Sequence, residues 1–212
     1  MQIPDALDSA ATGMRAQTAR LDSIAEDLAH AATPGYRAQR VVARGFGAEL
    51  RTQALISRAQ GSLRRTGVPT DLALIGSGYF AVAGARGVEY TRDGRMSLDA
   101  DGLLRDVHGR AVLGALGAVR LGSGAVIHSD GRIFCRGAVV DRLRIVDFDG
   151  TTVRRGHASV RACYLEESGV DPIEEMTSLV AAQRCFEADQ KAAQQTDETL
   201  KRAVTELPAV RS

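Results

Sequence analysis

The 212-residue chain has no tryptophan, and aromatic residues make up only 4% of it, so no large aromatic cluster organises its interior. Its three cysteines, Cys135, Cys163 and Cys185, lie far apart without C-x-x-C spacing. That pattern suits neither a disulfide framework nor a zinc site. They read instead as small buried apolar side chains. Only Lys191 and Lys201 are lysines, an arginine bias that composition alone explains. The formal net charge is +1, so no global field pulls the chain toward nucleic acid or an anionic membrane. No run of about 18 apolar residues occurs, which excludes a direct helical membrane span. Residues 1–11 lack the basic and apolar regions of a Sec-type signal peptide. Taken alone, this predicts a cytoplasmic chain unless export uses a route that needs no cleaved signal.

Catalytic constellations are also missing, and the expectation is a non-enzyme with no catalytic residues, cofactor or metal. Gly76-Ser77-Gly78 lacks the third glycine of a dinucleotide fingerprint and reads as a hairpin loop. Asp99, Asp101 and Gly102 resemble part of a calcium loop, but no glutamate follows at its twelfth position. His30, His108, His128 and His157 have no metal-like spacing. Cys163 and His157 could form a nucleophile and base in a small hydrolase, and that alternative stays open. Glu166-Glu167 and Glu174-Glu175 flank a helix start, where acids favour the dipole.

What is present is a pair of matching ends. Leu7, Ala11, Met14, Thr18, Leu21, Ala25 and Leu28 recur at heptad spacing near the N-terminus. Met176, Leu179, Phe186, Ala193, Leu200, Val204 and Leu207 do so near the C-terminus. Gln183, Gln190 and Asp197 fall at alternate positions of the second seam, where polar groups fix register or partner choice. Such narrow stripes need partners, so the ends should pack on each other and on further copies. Pro4-Asp5 starts the first helix and Thr33-Pro34-Gly35 stops it. Asp171, Pro172 and Glu174 cap the last one, which runs to Pro208 and reaches about 50 Å.

Residues 36–66 hold seven arginines and one acid, Glu49, without a clean period. They read as a solvated linker or as a contact arm ordering on assembly. Tyr36 and Phe46 supply too little stacking for a nucleic-acid arm. From residue 67 onward the period shifts toward two. Asp93-Gly94, Asp101-Gly102, Asp130-Gly131 and Asp149-Gly150 separate short β-prone runs, the pattern of antiparallel hairpins. The expected fold class is α+β: coiled-coil-like terminal helices packed together, bracketing a central antiparallel β-rich domain. The expected segments are an axial helix over 1–35, an Arg-rich arm over 36–66, a β-rich domain over 67–165 and a second axial helix over 166–212.

Three ordered blocks then resemble the bacterial flagellar basal-body rod and hook proteins. The first is Gly13-Met14-Arg15-Ala16-Gln17, Leu21-Asp22, Leu28-Ala29 and Thr33-Pro34-Gly35-Tyr36-Arg37-Ala38. The second is Asp71-Leu72-Ala73-Leu74, Gly76-Ser77-Gly78-Tyr79-Phe80 and Tyr90-Thr91-Arg92-Asp93-Gly94, then residues 98–102 and 109–114. The third is Gly169-Val170-Asp171-Pro172-Ile173-Glu174-Glu175-Met176 with Ala181-Ala182-Gln183-Arg184 and Phe186-Glu187-Ala188. Glu26, Asp27, His30 and Ala32 stand where the family favours asparagine. The chain is similar to the proximal and distal rod types, and residues 139–146 look more like the proximal one. The resemblance implies a structural subunit of the basal-body rod that forms an axial drive shaft and export channel. It implies export by the flagellar type III apparatus without a cleaved signal, and a periplasmic location in the basal body. Implied partners are further copies, other rod and hook subunits, that export apparatus, ring proteins and peptidoglycan, with no nucleic acid. The implied assembly interface is Leu7, Met14, Leu21, Leu28, Pro34, Gly35, Tyr36, Met176, Leu179, Gln183, Phe186, Gln190, Leu200 and Val204. A coiled-coil scaffold or adaptor unrelated to flagella would share the ends but not the middle block.

Overall fold

Proline and acid at the N-terminus and a Pro-Gly stop do delimit a helix, α1 (Ile3–Ala29), in this computed structural model, which describes residues 3–44, 51–149 and 152–206. After α1 the Thr33 amide donates to the His30 carbonyl and Tyr36 to Thr33, while Gly35 takes a left-handed φ of 70°. The stretch read as a linker or contact arm is partly regular. It carries strands β1 (Gln39–Arg44) and β2 (Arg51–Ile56), paired antiparallel from Gln39 opposite Ile56 to Arg44 opposite Arg51. The glycines that blurred its period, Gly45 and Gly47, lie between these strands, outside the described residues.

The remaining strands are short. They are β3 (Leu63–Arg65), β4 (Leu72–Ile75), β5 (Tyr79–Gly84), β6 (Gly87–Thr91), β7 (Met96–Leu98), β8 (Leu104–Asp106) and β9 (Val126–Ile127). They continue with β10 (Arg132–Cys135), β11 (Ala138–Arg142), β12 (Ile145–Asp149), β13 (Thr152–Arg155), β14 (Ser159–Ala162) and β15 (Tyr164–Glu166). The chain closes with α2 (Pro172–Glu206), whose first amides are capped by the Asp171 carboxylate: Ile173 N at 2.9 Å and Glu174 N at 3.4 Å.

The described residues divide into two units. The helical unit holds α1, the β1–β2 hairpin and α2, with the two helices packed together. The β unit holds residues 30–38 and 58–170. All its strand pairs are antiparallel, the largest sheet having the order β13-β12-β5-β6. Its core comprises Leu72, Leu74, Phe80, Val82, Leu104, Val112, Val119 and Ile133, each fully buried, with Met96, Leu143, Ile145, Ala158 and Val160 around them.

Three of the Asp-Gly pairs join paired strands: 101–102 for β7–β8, 130–131 for β9–β10 and 149–150 for β12–β13, although Gly150 lies outside the described residues. Asp93-Gly94 does not. A side chain on Gly94 would collide with the Leu72 carbonyl, and the Gly94 carbonyl accepts from the Leu72 amide, so the glycine permits a crossing of β4. Gly76-Ser77-Gly78 is likewise no hairpin loop, because β4 pairs with β14 whereas β5 pairs with β6 and β12. The cysteines also differ from expectation. Cys135 and Cys163 are half-buried and Cys185 is exposed on α2.

Candidate assembly sites

The Gly-Ser-Gly loop owes its shape to an arginine. The Arg92 guanidinium donates to the carbonyls of Leu74, Gly76 and Gly78, at 3.0 Å to Leu74 and 2.7 Å to Gly76. Its Nε reaches Glu166 Oε2 at 2.6 Å. The other oxygen, Oε1, accepts from Arg37 at 3.1 Å and from the Gly61 amide at 3.2 Å. All three charged side chains are at least nine-tenths buried. Arg37 also donates to the carbonyls of Arg58 and Ala59. Burial lowers the Arg92 pKa and the bond to Glu166 raises it, leaving it below its ordinary value.

This Arg–Glu–Arg knot also fixes the backbone around it. The Gly35 amide donates to the Glu166 carbonyl at 2.8 Å, and a side chain on Gly35 would collide with the Arg92 carbonyl. The Gly169 amide donates to the Tyr36 carbonyl at 2.9 Å. Tyr36 itself stacks on His30 at 4.7 Å. Glu166, expected to flank a helix dipole, is therefore a buried counter-ion. Only Glu167 stays exposed, beside Arg64 at 3.4 Å.

In the helical unit the covered stripe differs from the expected seam by one position in alternate rows. Along α2, Ala182 is buried, and Glu175, Leu179, Phe186, Asp189, Ala193 and Thr196 are half-buried. Their spacing alternates four and three, which is a heptad pattern. Met176, Gln183, Gln190 and Asp197 are exposed instead, together with Ile173 at 77% and Val180 at 49%. On α1, Met14, Leu21 and Leu28 are half-buried, Thr18 and Ala25 are exposed, and Ser23, Ile24 and Asp27 are buried. Alanine and threonine remove too little apolar area to hold a row inward, whereas Ile24 removes more.

Asp27 shows why its row is covered. It is 1% exposed, and both its oxygens accept from the Gln39 amide at 3.1 Å. Ser23 Oγ donates to the Gln39 carbonyl at 3.3 Å. One residue of β1, Gln39, is thereby clamped to α1 through both its amide and its carbonyl. Beside it opens a cleft of about 480 Å³ lined by Ile24, Arg20, Arg40, Glu174 and Glu175. Burial pushes the Glu175 carboxyl up, and the charges of Asp27 and Glu174 push the same way against Arg40 and Arg20.

The structure thus brings Pro34, Gly35 and Tyr36 into the β unit. Met14, Leu21, Leu28, Met176, Leu179, Gln183, Phe186 and Gln190 lie on the helix pair. Leu7, Leu200 and Val204 belong to the helices, outside the side chains described, and Leu207 and Pro208 lie outside the described residues. Cys163 and His157 both lie in the β unit, where Cys163 is the junction of β14 and β15 with a φ of 65°. Among the described residues no three His, Cys, Asp or Glu side chains group as a metal site would, and no helix is long and apolar enough to cross a membrane.

Residues 161–206 match a family model described as the C-terminal part of flagellar basal body rod FlgEFG proteins, and residues 73–135 match one described as the flagellar hook protein FlgE/F/G D1 domain. The flagellar basal-body rod protein FlgF of Mesorhizobium japonicum is 31% identical over 96% of this chain and 98% of its own length. The chain belongs to the flagellar basal-body rod protein family. FlgF of Salmonella typhimurium is 31% identical over 91% of this chain and 94% of its own. FlgG of Agrobacterium fabrum is 28% identical over 91% and 95%. The role of this rod protein is structural, in the flagellar basal body. Its two family-matched segments are joined by the Arg92–Glu166 bond and by the pairing of Arg161 with Ala73.

Proposed function

We propose that this rod protein polymerises through its terminal helices. In that arrangement α1 and α2 line the axial drive shaft and its export channel. The β-rich residues 67–165 sit outside and make lateral contacts, and the arm 36–66 bridges to a neighbour. Heterologous contacts of this kind build open helical assemblies. The observation that carries the reading is the second stripe of α2. Ile173, Met176, Val180, Gln183 and Gln190 follow heptad spacing yet stay exposed, while the first stripe is covered. A helix with two such stripes, one vacant, suits a coiled-coil-like bundle with more members than one chain supplies. The partners are further copies and other rod and hook subunits. The chain reaches the periplasmic basal body through the flagellar type III apparatus without a cleaved signal, and meets ring proteins and peptidoglycan there.

Leu21→Asp and Met176→Asp test this. Each should abolish incorporation into rods and motility while the β unit melts as in the unaltered chain. Normal motility in both variants overturns the proposal.

A further inference from the structure

Charge is divided unevenly between the two units. The helical unit holds fourteen acidic residues against ten basic ones, whereas the β unit holds seventeen basic residues against twelve acidic. The basic excess is concentrated around two adjoining hollows of about 560 and 370 Å³, which share Arg142, Leu143, Ile145 and Arg155. Arg144, Arg154 and His157 complete the charged rim, and one acid, Asp130, faces it. That acid is already held by Arg132 at 3.0 Å. Asp141, next to Arg142, is occupied by the amides of Ala115 and Leu116. Among the described residues Arg142, Arg144 and Arg155 form no ion pair within 4 Å, although Arg142 attracts Asp130 at longer range. The floor is apolar, made by Leu143, Ile145, Val146 and Ala158. One wall is β13, an edge strand with both Arg154 and Arg155 exposed.

We propose that this arginine-rimmed hollow receives the outer face of α2 from a second copy of the chain. The inference rests on the assembly reading above and adds the surface that α2 meets. Complementarity supports it on both sides. α2 exposes Glu187, which falls in the vacant row, and Glu198, and neither forms an ion pair within 4 Å among the described residues, although Lys201 attracts Glu198. Eleven residues make about three turns, so the two carboxylates share a face roughly 16 Å apart. Arginine is suited to such contacts because its planar fork grips carboxylates and its stem covers apolar surface. The hollow has no aromatic side chain, so it offers no stacking platform for a nucleic acid.

The test uses the full-length chain in sedimentation at low and high salt. Arg142→Glu with Arg155→Glu should weaken self-association about tenfold at low salt, the scale of a few rim ion pairs. Mixing that variant with Glu187→Arg, Glu198→Arg chains should restore it. Unaltered melting of the β unit checks the fold. Should the reversal unfold it, Arg142→Gln with Arg155→Gln should instead flatten the salt dependence. Unchanged association, failure of the mixture to recover, or an unaltered chain that stays monomeric each overturns the docking. If these variants enter rods normally while Leu21→Asp does not, the docking falls and the rod assignment stands. If Leu21→Asp also enters, both fall.

Discussion

Thirteen side chains of the β unit form a core no more than 9% exposed, whereas along α2 Ala182 is the one buried side chain among those described. The β unit is finished within a single chain: its core side chains are covered, and the buried Arg37, Arg92 and Glu166 answer one another. The helical unit has a covered row, a clamp at Asp27 and a vacant row. A domain that must be stable before and after assembly needs the first kind of interior. An element whose interactions are completed by neighbours needs the second, since a row buried within the monomer could not serve them.

The largest expected effect breaks the first side of that contrast. Glu166→Ala leaves Arg37 and Arg92 buried without a counter-charge, and should cost roughly 3–5 kcal/mol in denaturant unfolding of the β unit. A loss below 1 kcal/mol would show that water reaches the knot. Gly35→Ala adds a left-handed backbone penalty to a collision with the Arg92 carbonyl, and should cost about 2 kcal/mol in the same measurement. The second side is probed by Asp27→Ala, which leaves the half-buried Gln39 amide without its carboxylate acceptor. The amide being half-buried, about 1 kcal/mol should be lost from the helical unit, seen as faster amide exchange in β1 with the β unit unchanged.

The smallest effect concerns pH. The folded Glu175 carboxyl lies above its ordinary value, so the folded unit favours the protonated form. This group's contribution therefore improves as pH falls through that raised value and worsens as pH rises through it. Helicity followed by circular dichroism should show this slope, and Glu175→Gln should remove it with only a few tenths of a kcal/mol of change at neutral pH. An unchanged slope would assign the dependence to another group.

Local signals in the sequence anticipated much of this. Asp171-Pro172 marked the start of α2 because capping is decided by adjacent residues. Three Asp-Gly pairs marked hairpins for the same reason. The turns at Ala85-Arg86 and Arg136-Gly137 were missed: the first has no turn glycine at its centre, and the second puts a non-glycine at a φ of 51°. The bonds of Arg92 were not legible. They join positions up to 74 residues apart, and arginine is so frequent here that one buried example has no local mark. The heptad rows were visible, but choosing which of two neighbouring rows is covered needs the clamp between Asp27 and Gln39.

The helical unit is assembled from the chain's two extremes plus one hairpin, while the β unit occupies a nearly unbroken stretch. On a ribosome, α1 therefore emerges before the β unit and its companion α2 after it. Closing the intervening loop costs entropy that grows only slowly with length, so delay is the dominant consequence. The β unit has its strands available while α1 is still waiting. A released fragment ending before residue 172 should already protect β4 and β5 from proteases yet leave α1 open to them, which makes birth order a timer for the sticky part of the molecule.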